Sequence, residues 1–152
     1  MQLRRATGDD APLMARIAEL AYAPYLPRMG GMRPRPMDTD YREAVAQCEA
    51  WVAESGSEVV GFVLLVPERD CMLLENVAVV PTHHGRGVGR ALLELAEARS
   101  RAADRRRIRL FTHETMTENQ RLYERIGYVE TGREGDDGFG RVFYEKRLPA
   151  AG

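Results

Sequence analysis

Between Glu75 and Leu93 the chain reads Glu-Asn-Val-Ala-Val-Val-Pro-Thr-His-His-Gly-Arg-Gly-Val-Gly-Arg-Ala-Leu-Leu, with glycines and arginines spaced to hold an anion. A helix start leaves backbone N–H groups unpaired and carries partial positive charge, so a phosphate can settle there when no side chain bars the way. Gly85, Gly87 and Gly89 remove the side chains, and Arg86 and Arg90 add full positive charge. Such a site suits a pyrophosphate better than a single carboxylate. To work, the turn must be held between a strand and a helix. Val77 to Val80 reads as a buried strand and Pro81 stops it; Val88, Ala91, Leu92, Leu95 and Ala96 then form the apolar face of a helix.

The spacing separates the common glycine loops. A dinucleotide fingerprint, G-x-G-x-x-G counted from Gly85 and Gly87, needs a third glycine where Arg90 stands. A Walker loop needs Gly-Lys-Ser/Thr, and the only lysine is Lys146. What remains, a Val-x-Val-x-Pro strand end, then His-Gly-Arg-Gly-Val-Gly-Arg, then an apolar helix, resembles the acyl-CoA-binding motif of the GNAT family of N-acetyltransferases. The family pattern Gln/Arg-x-x-Gly-x-Gly/Ala falls on His84-x-x-Gly87-x-Gly89, with His84 departing from the usual first residue. The resemblance implies that acetyl-CoA is the co-substrate, held by Val77, Ala78, Val79, His84, Gly85, Arg86, Gly87, Val88, Gly89 and Arg90.

A second stretch, Asn119-Gln-Arg-Leu-Tyr123-Glu-Arg-Ile-Gly127-Tyr128, resembles the family's last motif, in which Leu-Tyr precedes Gly-Phe/Tyr. The resemblance implies that Tyr123 points at the thioester sulfur and that Asn119 bonds the pantetheine arm; many relatives carry that asparagine one turn earlier, where this chain has Met116. The implied reaction is direct attack of an amine on acetyl-CoA. An alkylammonium with a pKa of about 10 must first lose a proton, and the departing thiolate must gain one. Tyr123 is the candidate acid. Glu75 is the candidate base, being on the same strand face as Val77 and Val79, with water as the other choice.

Composition sets the frame. At 152 residues, 44% hydrophobic and 30% charged, the chain reads as a single soluble domain over residues 1–152. A net charge of -1 gives no general pull toward nucleic acid or an anionic membrane. No apolar run approaches the roughly 18 residues of a membrane span, and nothing at the start resembles a signal peptide, so a cytoplasmic location is expected. Cys48 and Cys71 read as reduced core residues, and a metal site is not expected, since His83 and His84 are adjacent, His113 is remote from them and no carboxylate or cysteine completes a ligand spacing. The arginine-rich basic side chains suggest a GC-rich bacterial source. The basic run Arg99 to Arg109 reads as a solvated helix end rather than a nucleic-acid surface, because no aromatic residue interleaves it.

The elements follow in order. Gln2 to Ala6 is an edge strand, and Asp9 or Asp10 caps a helix with Leu13, Ile17, Leu20 and Ala21 on one face. Pro24 to Met37 is a proline- and glycine-rich loop, after which Asp38 or Asp40 caps a second helix ending near Ala50. Trp51 to Glu54, Val59 to Leu65 and Met72 to Val80 are three strands of a meander. Ile108 to Thr112 is a further strand, Thr117-x-x-Gln120 is a capping box opening the last helix, and Tyr128 to Arg133 and Arg141 to Lys146 form a hairpin across Gly135-Asp136-Asp137-Gly138. This order matches an α/β (α+β) GNAT fold, which implies a mixed, mostly antiparallel sheet of about seven strands flanked by about four helices.

The loop has a reading of its own. Tyr22, Tyr25, Met29, Met32, Met37 and Tyr41 crowd it, and exposed apolar groups at that density line a binding surface; the plainer reading is that they plug the underside of the sheet. In the family this region borders the acceptor side, so Tyr22, Tyr25, Met29 and Arg33 are the candidate acceptor residues, for a compact and partly apolar amine. Arg28, Arg33 and Arg35 could hold an acceptor carboxylate. The alternative function is a catalytically silent acyl-CoA-binding regulatory module; a homodimer is left open.

Overall fold

The computed structural model describes residues 1–135 and 140–149. Seven strands join in the order β1-β2-β3-β4-β5-β7-β6, and four helices accompany them. By its contacts the chain divides into two units, Met1–Val66 with Leu74–Ala96, and Pro67–Leu73 with Glu97–Gly152.

In the first unit, β1 (Gln2–Arg5) pairs antiparallel with β2 (Glu49–Ser55), and β2 pairs antiparallel with β3 (Glu58–Pro67) around the Gly56 turn. Val60, Phe62, Val63, Leu64 and Leu65 are all buried, so β3 is covered on both faces and its sequence is a continuous apolar run rather than an alternation. β4 (Met72–Val79) alternates beyond Leu74, with Asn76 and Ala78 inward and Glu75 outward. Gly61 lets the next helix, α3 (Val88–Ala102), lie close on the sheet. A Cβ there would stand 3.0 Å from the Ala78 carbonyl and 3.2 Å from both Val88 and Leu92, which seats the first turn of α3 directly after the glycine-rich turn.

The first helix, α1 (Ala11–Tyr22), buries Met14, Ile17, Ala18 and Tyr22. This corrects the expected face: Leu13 and Leu20 are exposed, because the stripe is set by the Met14–Ile17–Ala18 spacing. Asp10 does not cap it with its side chain. Its carboxylate instead accepts from Arg4 at 2.8 and 2.9 Å and from the Thr7 N–H at 2.7 Å, and these bonds hold the carboxyl below its ordinary pKa. The loop after α1 also departs from expectation. It contains three 3-10 turns, Ala23–Tyr25, Pro27–Met29 and Arg35–Met37, each with proline as its first or second residue, where a missing N–H costs nothing. α2 (Tyr41–Gln47) starts as expected at Asp40, whose side chain accepts from the Arg42 and Glu43 amides.

The second unit contains β5 (Arg107–His113), α4 (Thr117–Arg125), β6 (Val129–Glu134) and β7 (Arg141–Arg147). The start of β4 joins β5 in parallel at Met72–Ile108 and Leu73–Arg109, and β7 pairs antiparallel with β5 and β6. The expected β6–β7 turn at Asp136, Asp137 and Gly138 lies outside the described residues. Cys71 stands before β4 rather than in it: its thiol donates to Glu68 at 3.3 Å, and Arg109 grips the same carboxylate at 2.7 and 2.8 Å. The capping box is absent, since Thr117 is already helical and Gln120 donates instead to the carbonyls of His113 and Glu114.

Candidate active site

The glycine-rich turn is built by backbone conformation. After β4 a 3-10 turn, Pro81–His83, leads into residues 84–87, and α3 begins at Val88. Gly85 and Gly87 have φ of 76° and 82°, the left-handed region that disfavours any side chain, while a Cβ at either would meet no other atom within 4 Å. The glycines are therefore needed for the path of the chain, and the space outside the turn stays open. Gly89 differs: it lies within the helix, where a Cβ would make ordinary contact with Val79 at 3.8 Å. The strand before the turn is half-buried rather than buried, with only Ala78 of Val77 to Val80 fully covered.

Among the described residues the first backbone bond across this turn runs from the Ala91 N–H to the Gly87 carbonyl at 3.0 Å, and the amides of residues 85–90 have no backbone partner. Arg86 is exposed, with no ion pair or hydrogen bond among the described residues. Arg90 pairs with Glu94 at 3.2 Å, an exposed contact worth at most about 0.5 kcal/mol and readily given up to an anion. His84 folds back: its Nε2 lies 3.0 Å from the Val79 carbonyl, closing the strand end onto the turn. A helix start with free amides and two accessible guanidinium groups can hold a phosphate or pyrophosphate.

Glu75 is exposed on the outward face of β4 that it shares with the half-buried Val77 and Val79. Its charge, after burial, pushes the Cys48 thiol upward. The neighbouring Asn76 was not singled out from the sequence. It is 6% exposed, accepts from the Tyr22 hydroxyl at 2.6 Å and donates to the Tyr41 oxygen at 3.1 Å. The one signal for it was a polar residue at an inward position between Leu74 and Ala78.

The acceptor-loop candidates occupy different places in the first unit. Tyr22 and Met29, expected on an exposed surface, are buried, as are Met37 and Tyr41. Tyr25 is half-buried, 6.4 Å from the Tyr22 ring, with the Arg28 guanidinium over its own ring at 5.2 Å. Arg33 already holds two carboxylates, Glu19 at 2.5 Å and Asp38 at 2.9 Å.

In the second unit Tyr123 is buried on α4 within a cluster of three tyrosines. Tyr128 meets its ring edge-on at 5.8 Å and Tyr144 lies tilted at 6.1 Å. The Tyr144 hydroxyl donates to Glu124 at 3.0 Å, and burial pushes its pKa up to about 12. Tyr128 is 3% exposed and its hydroxyl has no partner among the described residues, a feature that sequence reasoning missed; burial pushes its phenol well up. Asn119 is half-buried, with its amide 3.9 Å from the Met116 sulfur, and Met116 is itself buried. Among the described residues no group of three His, Cys, Asp or Glu could hold a metal, and no helix is long and apolar enough to cross a membrane.

A mixed seven-stranded sheet with a glycine-rich anion turn opening α3 is the architecture of an acyl-CoA-dependent transferase. The chain matches the acetyltransferase (GNAT) family over residues 14–128 and belongs to that family. Solved structures agree on the fold. A GNAT-family protein of Desulfovibrio desulfuricans is 21% identical, with a TM-score of 0.80 over 97% of this chain and 99% of its own. The ribosomal-protein-S18-alanine N-acetyltransferase of Escherichia coli is 19% identical, with a TM-score of 0.78 over 99% and 96%. A GNAT acetyltransferase of Elizabethkingia anophelis, solved with acetyl-CoA bound, is 16% identical, with a TM-score of 0.72 over 97% of each chain.

Proposed function

We propose that this acetyltransferase moves the acetyl group of acetyl-CoA to a primary amine of a small molecule or peptide by direct attack. The observation that carries the reading is the run of amides at residues 85–90 that have no backbone partner among the described residues, with Arg86 and Arg90 in the same run, in a chain of the GNAT family. The similar Elizabethkingia anophelis structure, which holds acetyl-CoA, supports the co-substrate. The amine lone pair forms the new C–N bond and the C–S bond breaks. The amine proton leaves to Glu75 or to water, and the CoA sulfur takes a proton from Tyr123. A backbone N–H near Val77 to Val79 steadies the charge that develops on the attacked oxygen.

Asn119 is assigned to the pantetheine arm. On the acceptor side Tyr25 offers a partly open ring, while Tyr22 and Met29 act from inside by shaping the loop. Arg33 would have to leave Glu19 or Asp38 to meet an acceptor carboxylate, which favours an amine without one. The E. coli relative named for a protein alanine supports a peptide N-terminus as one acceptor class. The reading extends over residues 1–152 as one domain in the bacterial cytoplasm.

The test is thiol release on mixing acetyl-CoA with a panel of amines, beside calorimetry of acetyl-CoA on wild type and Gly87→Leu. Amine-dependent release, with affinity lost in the folded variant, is expected. Binding without release by any amine would favour the silent module, and unchanged affinity in Gly87→Leu would move the site elsewhere.

A further inference from the structure

Asn76 is not needed by the strand that carries it. Its inward neighbours on β4, Leu74 and Ala78, are buried and apolar, and an apolar residue at 76 would keep that pattern without desolvating an amide. What the amide does is complete a directed relay. The Tyr22 hydroxyl donates to Asn76 Oδ1 at 2.6 Å, Asn76 Nδ2 donates to the Tyr41 oxygen at 3.1 Å, and the Tyr41 hydroxyl donates to the Pro36 carbonyl at 2.5 Å. A phenol has one proton, so Tyr41, having given its own to Pro36, can only accept from Asn76. That requirement fixes which way the amide faces.

The relay grips residues 23–40 at three points: Tyr22 before them, Pro36 among them and Tyr41 after them. Tyr41 is braced in turn by the Phe62 ring at 5.2 Å, and Tyr25 leans on Tyr22. A fully satisfied buried network selects one arrangement over its competitors, because any other arrangement leaves a desolvated group unpaired.

Resting on the reading of the protein as an acetyl-CoA-dependent N-acetyltransferase, we propose that Asn76 is a positioning residue for the acceptor. Its amide holds the loop 23–40, through Tyr22 and Tyr41, in the shape that admits a compact primary amine. The effect falls on the amine's KM more than on acetyl-CoA binding: among the described residues the relay makes no bond to residues 84–90, and it meets Val77 only through a long 3.4 Å bond from the Tyr22 hydroxyl to that carbonyl.

The decisive variant is Asn76→Asp, assayed against pH. A neutral carboxyl offers one donor and one acceptor, as the amide does; a carboxylate offers acceptors only, and Tyr41 must then give up Pro36 to satisfy it. Burial disfavours the charged form and so raises this carboxyl above the ordinary aspartate range. The ionisable groups facing it are the Tyr22 and Tyr41 phenols, with Glu75 next along the strand on the opposite face and Cys48 within reach of the Glu75 charge. The probe amine is alaninamide, with every KM taken relative to wild type at the same pH. For Asn76→Asp we expect a rise of under about threefold at pH 6 and of about tenfold or more at pH 8.5, as the carboxyl ionises. Acetyl-CoA affinity should stay within about twofold across the range, because no phosphate contact has changed.

Tyr41→Phe serves where the aspartate variant does not fold. Removing the phenol oxygen should raise KM about tenfold at every pH, again with acetyl-CoA affinity kept. Unchanged KM in either folded variant, or acetyl-CoA affinity falling in step with KM, would overturn the inference alone. So would a wild-type chain that binds acetyl-CoA and leaves alaninamide untouched. A wild-type chain that does not bind acetyl-CoA would remove the functional reading and this inference together.

Discussion

Replacing Tyr128 with phenylalanine should make the protein more stable. Its hydroxyl is buried without a partner among the described residues, and dehydrating such a group costs about 1 to 3 kcal/mol that phenylalanine does not incur. The ring, and with it the edge-on contact to Tyr123 at 5.8 Å, is retained. Against the gain stands the small void left by one oxygen, a few tenths of a kcal/mol at about 24 cal/mol per Å³. The net expectation is a gain of about 1 to 2 kcal/mol, which for a chain of this size raises Tm by about 2 to 8 °C. Urea and thermal unfolding followed by circular dichroism measure both quantities. A Tyr128→Phe variant less stable than wild type by 1 kcal/mol or more would show that the hydroxyl has a partner after all. A stabilised variant with lowered turnover would show that the phenol is kept for catalysis at the expense of the fold.

Three further outcomes follow from the geometry. Gly87→Ala should cost about 1 to 2 kcal/mol for a left-handed residue, whereas Gly89→Ala, at a helical position with a 3.8 Å contact, should be neutral or gain up to about 1 kcal/mol; equal effects in urea unfolding would contradict the backbone argument. Asp10→Asn should cost about 1.5 to 3 kcal/mol at pH 7, because the bonds from Arg4 and Thr7 hold the wild-type carboxyl below its unfolded value. That contribution is complete above the ordinary carboxylate pKa of about 4 and disappears as pH falls through the lower folded value, so the two proteins should converge in acid unfolding. Glu75→Gln should lower turnover about a hundredfold, and an unaltered rate would assign proton removal to water.

The glycine turn was legible because its chemistry is written in backbone requirements: glycines, a preceding proline and a following apolar helix leave few other conformations. The order of strands and helices was legible for a similar reason, since the apolar periods change at recognisable stops. The face of α1 was misread because Leu13 and Leu20 are as apolar as Met14 and Ile17, and only packing against a sheet chooses between overlapping stripes. The 3-10 turns of residues 23–37 were missed because proline, which forbids a long helix, suits the first two positions of a single turn. The capping box at Thr117 failed because Gln120 found better acceptors in the His113 and Glu114 carbonyls. For Asn76 the sequence offers only a polar residue at an inward strand position, and its partners Tyr22 and Tyr41, like the isolation of the Tyr128 hydroxyl, depend on which groups meet across long separations.

The central claim, acid catalysis by Tyr123 on acetyl-CoA held at the glycine turn, is tested most directly by comparing kcat with acetyl-CoA affinity in Tyr123→Phe. In the proposed mechanism the hydroxyl acts on charge that develops only as the C–S bond breaks, so kcat should fall about a hundredfold while the calorimetric Kd changes less than about threefold. Wild-type turnover in the variant, or a loss of affinity equal to the loss of rate, would return Tyr123 to the core and contradict the mechanism.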